Sequence, residues 1–284
     1  MSVQQVAVQK TRMQASLRLS TESRSLRFSA LIYLSVMIIV PLFVIAIEGL
    51  RGGVDVLWTN VTRPPALSAI WLSVWTAGVM ALINIVMGTL TAYVLTAYSF
   101  PGKRIINAVI DLPFAIPTLV TGVMLVLLYG PQTVLGSLFE TSFGERFMYA
   151  PPGIVLALLF LGYPFVTRAV QPVLAGLDTY QQEAAHTLGA SGWATFRRVI
   201  APVILPAIIT GGMLSFARAL GEFGAIVIVS GNIPLRTQTA AVYIYGQIEG
   251  GNPAAATSVS LVMLAIALGT TLIAERWVRR YGRE

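Results

Sequence analysis

Cysteine is absent from this 284-residue chain, and histidine occurs once, at His186. Disulfides, thiolate metal sites and cysteine nucleophiles are therefore excluded in any compartment, and no histidine metal cluster can form. Charge is also scarce: 11% of the residues are charged, against about a quarter in ordinary soluble domains. No G-x-x-x-x-G-K-[ST] run is present, since Gly102-Lys103-Arg104 lacks both the leading glycine and the hydroxyl residue, so ATP has no phosphate-binding loop here. No pair of acids stands with a serine or histidine as in a hydrolase, which argues against a membrane-embedded enzyme.

What the chain has in abundance is apolar surface. Hydrophobic residues make up 56% of it and the mean hydropathy is +0.76, so the expected solvent is a bilayer. Six mostly apolar runs lie near residues 28–47, 69–97, 105–129, 153–174, 203–229 and 254–277. Each is long enough to cross hydrocarbon as a helix, and none shows the ten-residue alternation of a barrel strand. The first run is too long for a signal-peptide core and has no clear cleavage site, so it is kept as a span. The expected fold is an all-α integral membrane domain over 28–277, with polar tails at 1–27 and 278–284.

The net charge of +7 and a pI near 10.0 would suggest nucleic acid in a soluble protein. In a membrane protein, Lys and Arg gather on the cytoplasmic side. Six spans put both termini on one side. Placing that side in the cytoplasm gathers there the basic N-terminal tail, Lys103, Arg104, Arg197, Arg198, Arg276, Arg279, Arg280 and Arg283. The opposite loops hold Arg51, Arg63, Arg146 and Arg236, so the bias is a topological address and nucleic acid is not an expected partner.

Charges and amides within the spans are candidates for a translocation path, because burying them in hydrocarbon is costly. They are Asp111, Arg218, Glu222 and Asn84. Arg218 and Glu222 stand four residues apart, on one face of the expected fifth helix. They could neutralise each other as a structural pair, or Arg218 could be the positive element of an anion path. Asp111 could be a simple interfacial group, Arg168 could snorkel to the membrane edge, and Asn84 could be interhelical glue. Pro41, Pro113, Pro117, Pro164 and Pro172 fall in or beside spans and are expected to kink them.

The connection between the fourth and fifth runs has unusual spacing. Residues 178–189 read as a short helix with Asp178 or Thr179 as N-cap, Glu183 in its second turn and Gly189 at its C-terminal end. Ser191 can cap a second helix whose Trp193, Phe196, Val199 and Ile200 supply an apolar face. The result is either a rigid knob for a groove on a soluble partner or a well-capped loop.

The pattern Glu183-Ala184-Ala185-x-x-x-Gly189-Ala190, followed by Phe196, Val199 and Ala201-Pro202, resembles the EAA loop of ABC importer permeases, with alanine at 201 where leucine is common. Residues 111–117, 216–224 and 230–234 are similar to the sulfate/thiosulfate and molybdate branch, and 236–239 also resemble molybdate members. The resemblance implies a six-helix ABC-importer transmembrane domain in the bacterial inner membrane, with a coupling loop over about 178–202. It further implies two ATPase subunits that bind ATP and Mg, a related permease subunit or second copy, and an extracytoplasmic sulfate-binding protein. The expected function is sulfate/thiosulfate import, with molybdate or tungstate import as the near alternative. A passive channel or membrane scaffold is the alternative of another class.

Overall fold

The computed structural model describes residues 26–144 and 146–281, and the remainder of both tails lies outside the described residues. Every regular element among the described residues is helical: α1 Leu26–Leu50, α2 Val54–Val61, α3 Pro64–Ala97, α4 Lys103–Ala115, α5 Thr118–Tyr129 and α6 Val134–Phe143 form the first half. The second half comprises α7 Pro151–Ala175, α8 Thr179–Thr187, α9 Gly192–Leu220, α10 Gly224–Val229, α11 Ala240–Glu249 and α12 Pro253–Tyr281. Five helices, α1, α3, α7, α9 and α12, are long and apolar enough to cross a membrane; α4 with α5 makes a sixth span if the bent pair counts as one. Helix α1 already includes Leu26 and Arg27, and α12 runs on through 278–281, so both end spans extend into what the sequence assigned to tails.

Two expected spans are broken. The run 105–129 is two helices with a bend of 112° between them. Pro117, at the N-cap of α5, has no N–H to continue α4 and holds Ile116 in extended geometry. The run 203–229 stops at Leu220, turns through Gly221-Glu222-Phe223 and restarts as the six-residue α10. Pro41 is accommodated differently. A π-turn at Ser35–Ile39 precedes it, and another at Phe196–Ile200 precedes Pro202. Each lets the chain absorb a proline ring that would otherwise clash with the carbonyl four residues back.

The core is a three-helix crossing of α3, α7 and α9. Bilayer helices gain no hydrophobic force from one another, so they associate through close packing of small residues. Gly162 on α7 marks the closest approach: a Cβ there would lie 2.6 Å from Ser215 Oγ and 2.8 Å from Met80 Sδ. Gly211 on α9 is similar, with its missing Cβ 2.8 Å from the Val166 Cα. Asn84 is buried in this knot, its amide donating to Met80 Sδ at 3.0 Å, while Ser215 donates to the Gly162 carbonyl at 3.1 Å. Asn84 also reaches the Leu159 carbonyl on α7 at 3.5 Å, so its amide links α3 to α7 within the one subunit.

Helix α12 packs on α9, α11, α2 and the second half of α1, and Ser73 on α3 accepts the N–H of Ala240 at 2.8 Å to seat α11. The two broken spans meet each other, because α5 packs along α10. A Cβ on Gly122 would come within 2.8 Å of the Ala225 carbonyl, so these short helices touch backbone to backbone.

Candidate functional site: a knob at one end and a charged break within

At one end of the bundle, α8 and the start of α9 form the knob. Asp178 is the N-cap, its Oδ1 accepting the Tyr180 N–H at 2.9 Å. The helix ends in a Schellman motif: the Gly189 N–H reaches the His186 carbonyl at 2.9 Å and the Ala190 N–H reaches the Ala185 carbonyl at 3.0 Å. Gly189 takes φ +80°, a left-handed conformation that a side chain resists. Ser191 then caps the next helix through its Oγ, which accepts the Ala194 N–H at 3.2 Å. Local hydrogen bonds satisfy both helix ends, so the knob's shape is set by its own sequence.

Glu183 and Ala184 are exposed, and the same knob carries three large apolar side chains left mostly uncovered: Tyr180, Leu188 and Trp193, 76%, 88% and 70% exposed. The single apolar face expected for Trp193, Phe196, Val199 and Ile200 is divided. Ile200 is buried and Phe196 packs against the bundle, whereas Trp193 points away and only its ring stack on Phe196 at 5.6 Å ties it back. The π-turn begins at Phe196 and inserts an extra residue per turn, so the α-helical register used to place these four on one side does not hold. Pro202 is exposed just beyond it.

A second cluster joins α4 to α7. Arg168 uses all five of its N–H donors: Nε and Nη2 bind the two oxygens of Asp111 at 2.7 Å each, Nη2 also reaches the Asn107 carbonyl at 2.8 Å, and Nη1 reaches Asn107 Oδ1 at 3.0 Å and Gln171 Oε1 at 2.6 Å. The sequence offered Asp111 and Arg168 as separate groups. The fold makes them one bidentate clamp, 57 residues apart in the chain.

The third cluster is the break between α9 and α10. Glu222 is not on the helical face with Arg218, as even spacing had implied, because α9 ends at Leu220. It folds back instead: Oε2 lies 2.6 Å from Arg218 Nη1, and Oε1 accepts the Ala225 N–H at 3.1 Å. The carboxylate is 2% exposed and the arginine side chain 43% exposed. One charge is thus locked in the packing and the other stands at a surface. Phe223 beside it meets the Tyr245 ring at 4.9 Å. The Tyr245 phenol donates to Glu249, and that bond pushes its pKa above the usual tyrosine value.

No cluster of acids and histidines with metal-site geometry exists among the described residues.

Comparison with known proteins gives a consistent picture. Residues 84–283 match the family described as binding-protein-dependent transport system inner membrane component. The chain is 43% identical over 236 residues to the probable sulfate transport system permease protein cysT of Chlorokybus atmophyticus, covering 83% of this chain and 82% of that one. It is 34% identical over 255 residues to the sulfate transport system permease protein CysT of Escherichia coli (strain K12), covering 90% and 92%. Among solved structures, a chain of a bacterial alginate ABC transporter in complex with its alginate-bound periplasmic protein superposes with a TM-score of 0.75 at 18% identity, covering 94% of this chain and 96% of that one. A chain of the MetNI methionine ABC transporter gives 0.58 at 16% identity, covering 76% and 95%. At such low identity these structures speak to the fold alone.

Proposed function

This chain belongs to the family of binding-protein-dependent transport system inner membrane components, and on that premise we propose that it is the permease subunit of an ATP-driven sulfate importer. It is a multi-pass transport subunit and not an enzyme. The observation that carries the reading is the knob: a self-capped helix, turn and helix with exposed Glu183 and an uncovered apolar rim, continuous with a spanning helix. A passive channel or scaffold has no use for such a feature. An energy-coupled permease needs one.

In this reading the knob faces the cytoplasm and enters a groove on an ATPase subunit, which holds ATP and Mg. Two such ATPases serve a pair of permeases, this chain with a relative or a copy of itself. An extracytoplasmic sulfate-binding protein delivers substrate at the other end, in the cytoplasmic (inner) membrane of a bacterium. The exposed guanidinium of Arg218 is the positive element met by the dianion, and buried Glu222 limits how tightly the anion is held, so that it can leave. The clamp of Arg168 on Asp111 satisfies both charges internally, which favours a bracing role over contact with substrate.

ATP-dependent uptake of radiolabelled sulfate by the reconstituted complex tests the proposal, with molybdate and thiosulfate as competitors. Uptake that persists without ATP would make the chain a channel; uptake abolished by molybdate at far lower concentration than by sulfate would move it to the molybdate branch.

A further inference from the structure

At the end of the bundle away from the knob, a cavity of about 570 Å³ opens between the segment that follows α6 and the loop that follows α10. Its volume falls within the range of ligand sites, roughly 300–1,000 Å³. Arg146, Tyr149, Ile233, Arg236 and Thr237 line it. Two of the four arginines on this side of the sequence topology therefore converge on one space. Neither is committed elsewhere. Arg236 has no carboxylate or hydrogen-bond partner for its guanidinium among the described residues, and Arg146 has only a loose contact of 3.7 Å with Glu140, both side chains being largely exposed. Such a pair contributes little.

The walls are built to hold this opening. All three non-glycine residues with positive φ among the described residues lie here: Tyr149 at 60°, Asn232 at 51° and Leu235 at 62°. Backbone in this region is strained for a residue with a side chain and persists only where the surroundings enforce it. They do so through Thr237, whose Oγ1 donates to the Ser230 carbonyl at 2.6 Å and accepts the Ile233 N–H at 3.2 Å, and through the Tyr149 N–H, which reaches the Val229 carbonyl at 3.0 Å. Helix α7 begins at this cavity, so the positive end of its dipole adds to the field. Its first two residues, Pro151 and Pro152, have no N–H to give, so hydrogen bonds to an anion must come from the arginines.

We propose that Arg146 and Arg236 form an anion site for a tetrahedral dianion of the sulfate class, an antechamber that the substrate occupies before it reaches Arg218. This rests on the sulfate-importer reading and extends it. The six residues of α10 separate the loop carrying Arg236 from the Glu222 break, about 9 Å of helix. The 25 residues of α7 separate the cavity from the knob, about 37 Å. The site therefore lies at the opposite end from the coupling surface, a short helix away from the charged break.

The absence of native cysteine from this chain allows a direct test in the assembled transporter. Ile233→Cys places a thiol in the cavity wall, and its reaction with anionic and cationic methanethiosulfonates reads the local potential. The anionic reagent should react faster, and sulfate, added without binding protein, should slow it. Adding Arg146→Gln and Arg236→Gln should equalise the two rates and remove the protection. In the otherwise native transporter the same pair of substitutions should raise the KM for sulfate about tenfold with Vmax kept, the scale expected for a lost charge-assisted hydrogen bond. Unequal rates without sulfate protection, together with a KM rise matched by weaker docking of the binding protein, would assign the arginines to that protein and overturn the proposal. An unchanged KM would overturn it as well. Protection by sulfate in a complex that shows no ATP-driven uptake would instead uphold the anion site and remove the importer reading.

Discussion

Arg218 and Glu222 are joined across the end of a helix: the Glu222 carboxylate binds the guanidinium with one oxygen, at 2.6 Å, and the Ala225 N–H with the other, at 3.1 Å. One side chain thus ties α9 to α10 and balances an arginine. Glutamine retains an oxygen for the Ala225 N–H but loses the charge and the acceptor that faces Arg218. Glu222→Gln should therefore assemble normally and keep partial sulfate uptake, whereas Arg218→Gln should assemble and stop it. The Arg218→Leu, Glu222→Leu double variant separates a structural pair from a substrate contact: restored uptake would exclude a direct role for the arginine, and a folded, inactive complex would support it.

The knob depends on Gly189. A valine at φ +80° costs about 1–2 kcal/mol in backbone strain and moves Leu188 and the following cap. Gly189→Val should insert in the membrane, fail to retain the ATPase on co-purification and lose uptake. Wild-type levels of both would reduce the knob to a connecting loop.

Arg168 and Asp111 are 32% and 50% exposed at their side chains, so solvent or headgroups screen the pair despite its ideal geometry. A double-mutant cycle with Arg168→Gln and Asp111→Asn, read from thermal unfolding of the purified complex, should give a coupling of about 1 kcal/mol. A coupling indistinguishable from zero would mean that apolar packing alone holds α4 on α7.

The crossing of α3, α7 and α9 leaves no room at Gly162. Gly162→Val should destabilise the subunit by about 1–3 kcal/mol or more through overpacking, visible as a lowered Tm and reduced yield. Gly246→Ala, with nothing within 4 Å of its missing Cβ, is the matched control and should be close to neutral.

Orientation is measured with single cysteines. Ser191→Cys, in the knob, should resist an impermeant thiol reagent in intact cells, and Ser142→Cys, near the end of α6, should react. Strong external labelling at residue 191 would invert the topology.

The contrast between the knob and the charged break shows what sequence alone can carry. Asp178, Gly189 and Ser191 act on backbone within a few residues of themselves, so capping chemistry placed α8 and the start of α9 correctly. The spans were legible as apolar runs, but hydropathy does not register a turn between two apolar halves. Pro117 marked the bend in the run 105–129, whereas Gly221-Glu222-Phe223 disappeared inside a continuous run. The Glu222 bond to the Ala225 N–H follows from that turn and could not be read without it. Pairing across 57 residues, as between Arg168 and Asp111, depends on which helices become neighbours, which no local signal specifies.

Helix α9 runs without interruption from Gly192 in the knob to Leu220 beside the charged break, 29 residues or roughly 42 Å. In the importer we propose, it is a lever with its handle among Trp193 and Phe196 and its working tip at Arg218. Such a rod has a compliant joint at the π-turn at Phe196–Ile200, and Pro206 beyond it removes a further backbone hydrogen bond. A thrust delivered to the handle is either absorbed in that joint or arrives whole at the residue that grips Glu222.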